Sequence, residues 1–122
     1  MTRARRQTGI FGEERAAAVL REAGYRLLAR NYRCPQGEVD IVAEEGEQIV
    51  FVEVKARRGE AFGGPAAAVT RAKRRRIARA ALHYLAANRM LERPARFDVV
   101  TLLETPSGWR IEILRNAFEI EG

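Results

Sequence analysis

Twelve residues separate Asp40 from Glu53, and Lys55 follows Glu53 at the next position of the same strand face. Two carboxylates beside an ammonium can hold a hard divalent ion and orient water at a phosphate. The residue types are themselves unusual for this chain. Twenty of its 22 basic residues are Arg, with Lys only at 55 and 73, and Asp occurs only at 40 and 98. A chain drifting toward Arg and Glu keeps Lys and Asp mainly where a compact ammonium or a shorter carboxylate is needed. For Asp98 alone, coincidence suffices.

Register arithmetic supports the grouping. With Gly46-Glu47 as a two-residue type II′ loop, paired residues of the flanking strands sum to 93. Asp40 then falls opposite Glu53, and Glu38 opposite Lys55. Val42 and Phe51 continue that face, while Val39, Ile41 and Ala43 against Val54, Val52 and Val50 make a continuous apolar surface that must be buried. Facing carboxylates repel, so this register calls for a compensating cation, Mg²⁺ or Mn²⁺ by its oxygen ligands. The plain alternative is a solvated face with an ordinary Glu38–Lys55 pair.

The elements that must carry these residues are legible around them. Helical spacing runs from Thr8 to Ala23, with Gly24 as its cap. Strand-like runs follow at Tyr25 to Arg33, Glu38 to Glu44 and Gln48 to Ala56. A second helix fits Thr70 to Asn88, and two more strands fit Arg96 to Leu103 and Trp109 to Leu114. This order predicts an α/β sandwich on a mixed sheet. On the first helix, Glu13 shares a stripe with Ala16, Ala17 and Leu20, so it either completes the metal site or simply favours the helix dipole. On the second, Lys73 lies on the apolar stripe of Ile77, Ala80, Ala81 and Tyr84, where it either reaches phosphate or snorkels to water. Arg71, Arg74, Arg75, Arg76 and Arg79, with Arg57 and Arg58, form a candidate nucleic-acid groove, although most charge runs are merely solvated. Tyr32, Phe62 and Trp109 fit the core as well as they fit base stacking, and His83 needs no special role.

The whole chain narrows the field further. Its 122 residues, 47% of them hydrophobic, suit one domain over 1–122. The turn clusters, including Gly59 to Pro65, mark no linker. A net charge of +6 makes a polyanion the first partner to consider. Neither a membrane-length apolar run nor a signal sequence is visible, and a single cysteine agrees with a reducing compartment, so a cytoplasmic location is expected. The sequence carries no phosphate-cradling Gly-Lys-Ser/Thr loop, no Gly-x-Gly-x-x-Gly, no nucleophilic serine elbow and no histidine metal pair. P-loop hydrolysis, dinucleotide redox chemistry and zinc hydrolysis are therefore poor readings.

Asp40 with Glu53-Val54-Lys55 resembles the Asp-(spacer)-Asp/Glu-x-Lys signature of the PD-(D/E)XK nuclease superfamily. Gly12-Glu13, Arg30-Asn31-Tyr32-Arg33, Gly37-Glu38-Val39-Asp40-Ile41, Phe51 to Arg57, Phe62-Gly63, Lys73 and Arg96 to Val100 together resemble the YraN family of small bacterial proteins. The resemblance implies a restriction-endonuclease-like αβββαβ core, related to archaeal Holliday junction resolvases, which are homodimers that cut branched DNA with a divalent metal. It further implies that Glu13, Asp40 and Glu53 are metal-associated and that Lys55 is catalytic, with Glu38 as possible support. Val39 stands where the superfamily often has proline. The leading expectation is a Mg²⁺- or Mn²⁺-dependent nuclease acting on DNA, with branched or junction structures among its candidate substrates. The runner-up is a non-catalytic nucleic-acid-binding or recombination module on the same fold.

Overall fold

The computed structural model describes residues 2–58 and 69–119, with side chains from Gly12 to Arg57 and from Val69 to Glu119. Phe62, Gly63 and the Gly59 to Pro65 turn cluster lie outside the described residues. The elements are α1 (Thr2–Glu22), β1 (Arg26–Cys34), β2 (Gly37–Glu45), β3 (Gln48–Arg58), α2 (Arg71–Ala87), β4 (Ala95–Thr105) and β5 (Gly108–Phe118), in the expected order. The five strands form one sheet in chain order. All neighbours are antiparallel except β3 and β4. Parallel neighbours require a crossover, and the segment containing α2 provides it.

The helices cover opposite faces of the sheet. Ala16, Ala17 and Leu20 of α1 pack on Ile41, Ala43, Val50, Val52, Val100 and Leu102. Ile77, Ala80, Ala81, Tyr84 and Leu85 of α2 pack on Val42, Ile49, Phe51 and Val99. Each large apolar side chain so buried contributes about 1.5–3 kcal/mol, which is why both helical stripes face inward. Among the described residues, no helix is long and apolar enough to cross a membrane.

Local chemistry ends these elements where the sequence predicts. Gly24 has φ +97°, Tyr25 N–H donates to the Leu20 carbonyl at 2.9 Å and Gly24 N–H to the Arg21 carbonyl at 3.0 Å, so α1 closes in a Schellman motif. Thr70 caps α2, its hydroxyl accepting from Lys73 N–H at 3.2 Å. The β2–β3 loop has the expected two residues, with Glu45 paired to Gln48 and Gly46 at φ +60°.

One expected face is corrected. Val39 does not share a side with Ile41 and Ala43; it packs in the α2 cluster while they pack in the α1 cluster. Strand β2 therefore changes face at Asp40. On β1, Asn31 adopts φ +53°, between the pairs Arg30↔Ile41 and Tyr32↔Val39. Arg30 bonds Glu14 of α1 at 2.8 Å, whereas Tyr32 meets Tyr84 of α2 edge-on at 5.1 Å. A left-handed residue rotates the strand, and the simple alternation assumed from sequence fails there.

Gly37 sets how closely α2 approaches β2. A Cβ at this position would stand 2.2 Å from the Arg76 carbonyl oxygen and 2.8 Å from its carbon. Those are backbone atoms that no rotamer change can move. Gly37→Ala should destabilise the fold by roughly 1–3 kcal/mol, the usual range for overpacking. Urea unfolding checks this, and an unchanged midpoint would show that the helix shifts freely.

Candidate functional site

The β2–β3 ladder keeps the expected register as far as Ile41↔Val52 and stops there. In place of the next backbone pairing, Asp40 Oδ2 accepts from Val54 N–H at 2.8 Å. The Asp40 carboxyl thus lies in the gap between the two strands, next to Glu53. Glu53 sits on the α2 side of β3 and is only 4% exposed. Two ammoniums converge on its Oε2, Lys73 Nζ at 2.5 Å and Lys55 Nζ at 3.6 Å. Lys55 arrives by strand periodicity, Lys73 by the first turn of α2.

Buried acids this close cannot both carry charge without compensation. Burial, then the neighbouring Glu53 carboxylate, pushes Asp40 up to about 8, against the pull of the Val54 hydrogen bond. Burial and the adjacent Lys73 ammonium hold Lys55 below its ordinary value. Burial pulls Lys73 downward too, but its hydrogen bond to Glu53 helps to bring it above the ordinary value. The site therefore keeps a proton on one carboxyl and concentrates cations on the other.

Glu13 approaches from α1. Its charge is felt at Asp40, and its Oε1 is buried without a hydrogen-bond partner. Glu13, Asp40 and Glu53 offer only oxygen donors, the chemistry a hard divalent ion selects, and the Glu13 oxygen is unused. The residue types fit such an ion. Yet among the described residues no three His, Cys, Asp or Glu side chains stand close enough together to hold one as placed. Seating an ion would require Glu13 to close in and Lys73 to withdraw.

Glu38 is not part of this cluster. It pairs with Arg33 at 3.3 Å, more than half exposed, and Lys55 turns to Glu53 instead of to Glu38. The cross-strand pair expected from the register does not form because the ladder ends before reaching it.

Beside the site, Arg57, Arg71, Arg75 and Arg76 are exposed, while the Arg58 side chain lies outside the described residues. Arg74 is used locally: its Nε donates to the Val69 carbonyl at 3.0 Å and its guanidinium covers Phe118 at 5.3 Å. The first turn of α2 contains no acid, and its opening residues include Arg71, Lys73 and Arg74. Helix N-termini favour negative charge, so cations there oppose the dipole. An anion docking at this end would relieve that repulsion.

Sequence reasoning undervalued two residues and let a third pass. Lys73 belongs to the Glu53 cluster itself, not only to the outer groove. Asp98 is fully buried and takes Tyr25 Oη at 2.7 Å, Arg96 Nε at 3.0 Å and Asn116 N–H at 2.9 Å. The scarcity of Asp that singles out Asp40 applies equally to Asp98. His83, given no role, hydrogen-bonds the Tyr32 hydroxyl. Trp109 packs on the α1 side of the core.

The raised Asp40 value makes stability pH-dependent. Its contribution is complete below the unfolded value near 3.8 and is lost as pH rises through about 8, because only the unfolded chain ionises freely in between. Asp40→Asn keeps a carbonyl oxygen for Val54 and removes the ionisation. In EDTA, thermal melts from pH 5 to 8 should fall for wild type and stay flatter for the variant, which should be the more stable at pH 8. Parallel profiles would show that Asp40 ionises normally.

Comparison with known proteins agrees with the coverage of these elements. A model of an uncharacterised protein family, UPF0102, matches residues 12–102, from the start of the Glu13 turn through most of β4. A UPF0102 protein of Syntrophus aciditrophicus is 51% identical over 93% of this chain and 90% of its own length. One from Moorella thermoacetica is 47% identical over 97% of this chain and all of its own. Another, from Desulfosudis oleivorans, is 44% identical over 98% and 95%. The chain is a member of the UPF0102 family.

Proposed function

We propose that this protein is a divalent-metal-dependent phosphodiesterase acting on nucleic acid, DNA first among candidates, built on the PD-(D/E)XK plan. The observation that carries the reading is the Asp40–Glu53 pair at the parting of β2 and β3, with Lys55 and Lys73 on the same Glu53 oxygen. Glu13, Asp40 and Glu53 would hold Mg²⁺ or Mn²⁺. When bound, such an ion supplies charge at the scissile phosphate and makes water a better nucleophile at neutral pH.

The chain's own residues do the remaining work. To serve as a ligand Asp40 would release the proton that burial and the neighbouring Glu53 charge retain, and a bound cation would offset both. Lys55, 20% exposed at its side chain and held below its ordinary value, can orient the attacking water or stabilise the departing charge. The Val54 N–H fixes the Asp40 carboxyl against β3, so the ligand keeps its aim. The exposed Arg71, Arg75 and Arg76 give a phosphate backbone its first contacts and bring it to the end of α2 that lacks acids.

Pure protein with Mg²⁺ or Mn²⁺ should cleave at least one of single-stranded, duplex, flap or four-way DNA. Asp40→Asn, Glu53→Gln and Lys55→Ala should each lower the rate by about 100-fold or more, the scale of losing one electrostatic catalytic group. Failure on every substrate with both metals would sink the reading.

The inverted charge of α2 favours one further reading, a nucleic-acid-binding module without turnover. Both readings predict salt-sensitive binding. Replacing Arg71, Arg75 and Arg76 together by Ala should reduce the log K against log salt slope on duplex DNA by about 3. Tight binding that survives Asp40→Asn, with no cleavage by wild type, would select the module.

A further inference from the structure

The contact between Lys73 and Glu53 has a meaning beyond the identity of the site. Both lysines address Oε2 of Glu53, yet they differ in freedom. Lys55 is 20% exposed and rises from the central strand, whereas Lys73 is 41% exposed and stands on the first turn of a surface helix. Its backbone is held by the Thr70 cap while its four-carbon stem remains free to reorient. Of the exposed arginines of α2, Arg76 stands one turn on and on the same side, so a phosphate arriving there would reach Lys73 without displacing any core residue.

We propose that Lys73 is a substrate-responsive counter-ion, and this rests on the metal-site reading above. In the free protein its ammonium occupies the Glu53 oxygen and competes with a divalent ion for it. A nucleic-acid phosphate draws the ammonium away, freeing Glu53 for the metal at the moment the substrate is present. Lys73 is thus a positioning residue that couples two binding events: phosphate raises metal affinity, and by linkage metal raises phosphate affinity. No covalent step is involved. The geometry also explains why Glu13 is left with an unpartnered oxygen in the free protein, since with Lys73 on Glu53 the third ligand has no cation to meet.

The test is Mn²⁺ titration calorimetry on the full chain near neutral pH, first without nucleic acid, for wild type, Lys73→Met, Lys73→Arg and Glu53→Gln. Removing the competing charge should tighten Mn²⁺ binding about tenfold in Lys73→Met, as expected for losing one cation at a half-buried site. Lys73→Arg should stay near wild type, and Glu53→Gln should lose binding. A phosphorothioate oligonucleotide, which resists hydrolysis, should then tighten Mn²⁺ binding several-fold in wild type and leave Lys73→Met unchanged. Equal or weaker Mn²⁺ binding by Lys73→Met, while Glu53→Gln still abolishes it, would overturn the proposal and leave the metal site standing. Tightening in Lys73→Arg as well would overturn it too, since the effect would then be steric. If no variant binds Mn²⁺ although all are folded by circular dichroism, the metal reading falls and the proposal with it. Should Lys73→Met fail to fold, Lys73→Gln takes its place.

Discussion

A half-buried carboxyl beside a buried one sets the terms for the rest of this molecule. In water such neighbours repel weakly; in the gap between β2 and β3, burial first and repulsion second require that charge be offset or a proton retained. The offsets come from three places. A proton stays on Asp40, the Val54 N–H bonds it, and two ammoniums address Glu53. Each originates on a different part of the fold, so the parting of the strands, the central place of β3 and the docking of α2 are all conditions for the same pair to exist.

The sheet contains a second buried acid, and the contrast is instructive. Asp98 is saturated by donors from Tyr25, Arg96 and the Asn116 backbone, and Arg96 is in turn held by Glu45, itself bound to Arg115 at 3.0 Å. Burial and this acid push the Tyr25 hydroxyl up to about 12, which locks it as a donor. A carboxylate so fully satisfied has no spare valence for a ligand and serves to tie the turn after α1 to β4 and β5. The Asp40 cluster is provisioned differently. Its two lysines are partly exposed and an oxygen on Glu13 bonds nothing, so this cluster, unlike Asp98, is not fully satisfied by its neighbours.

The fold was legible in the sequence because its signals are local. Helical stripes, a Gly after α1, a Thr before α2 and a two-residue loop containing Gly46 place every element and set the β2–β3 register to the pair. What was not legible arises where backbone geometry departs from strict periodicity. Asn31 in the left-handed region moves Tyr32 and Val39 to the α2 side, and Asp40 substitutes its side chain for a ladder bond. Spacing alone assumes a regular strand and cannot see either event. The grouping of Asp40, Glu53 and Lys55 survived this because the irregularity begins at the site itself. Lys73 was harder, since a helix stripe says which face a residue occupies but not how far over the sheet it reaches. Glu38 failed for the opposite reason, as its partner depended on a ladder that had already ended.

The close approach at Gly37 has one more consequence. Helix α2 rests on the start of β2 through main chain against main chain, with the Arg76 carbonyl where a side chain would otherwise be. The offset between the helix and the strand bearing Asp40 is therefore gauged by polypeptide thickness, the one dimension every amino acid shares. Exposed residues of α2 can be exchanged while the reach from Lys73 to Glu53 stays calibrated, so the outer side of the helix and the carboxyl cluster beneath it can vary independently.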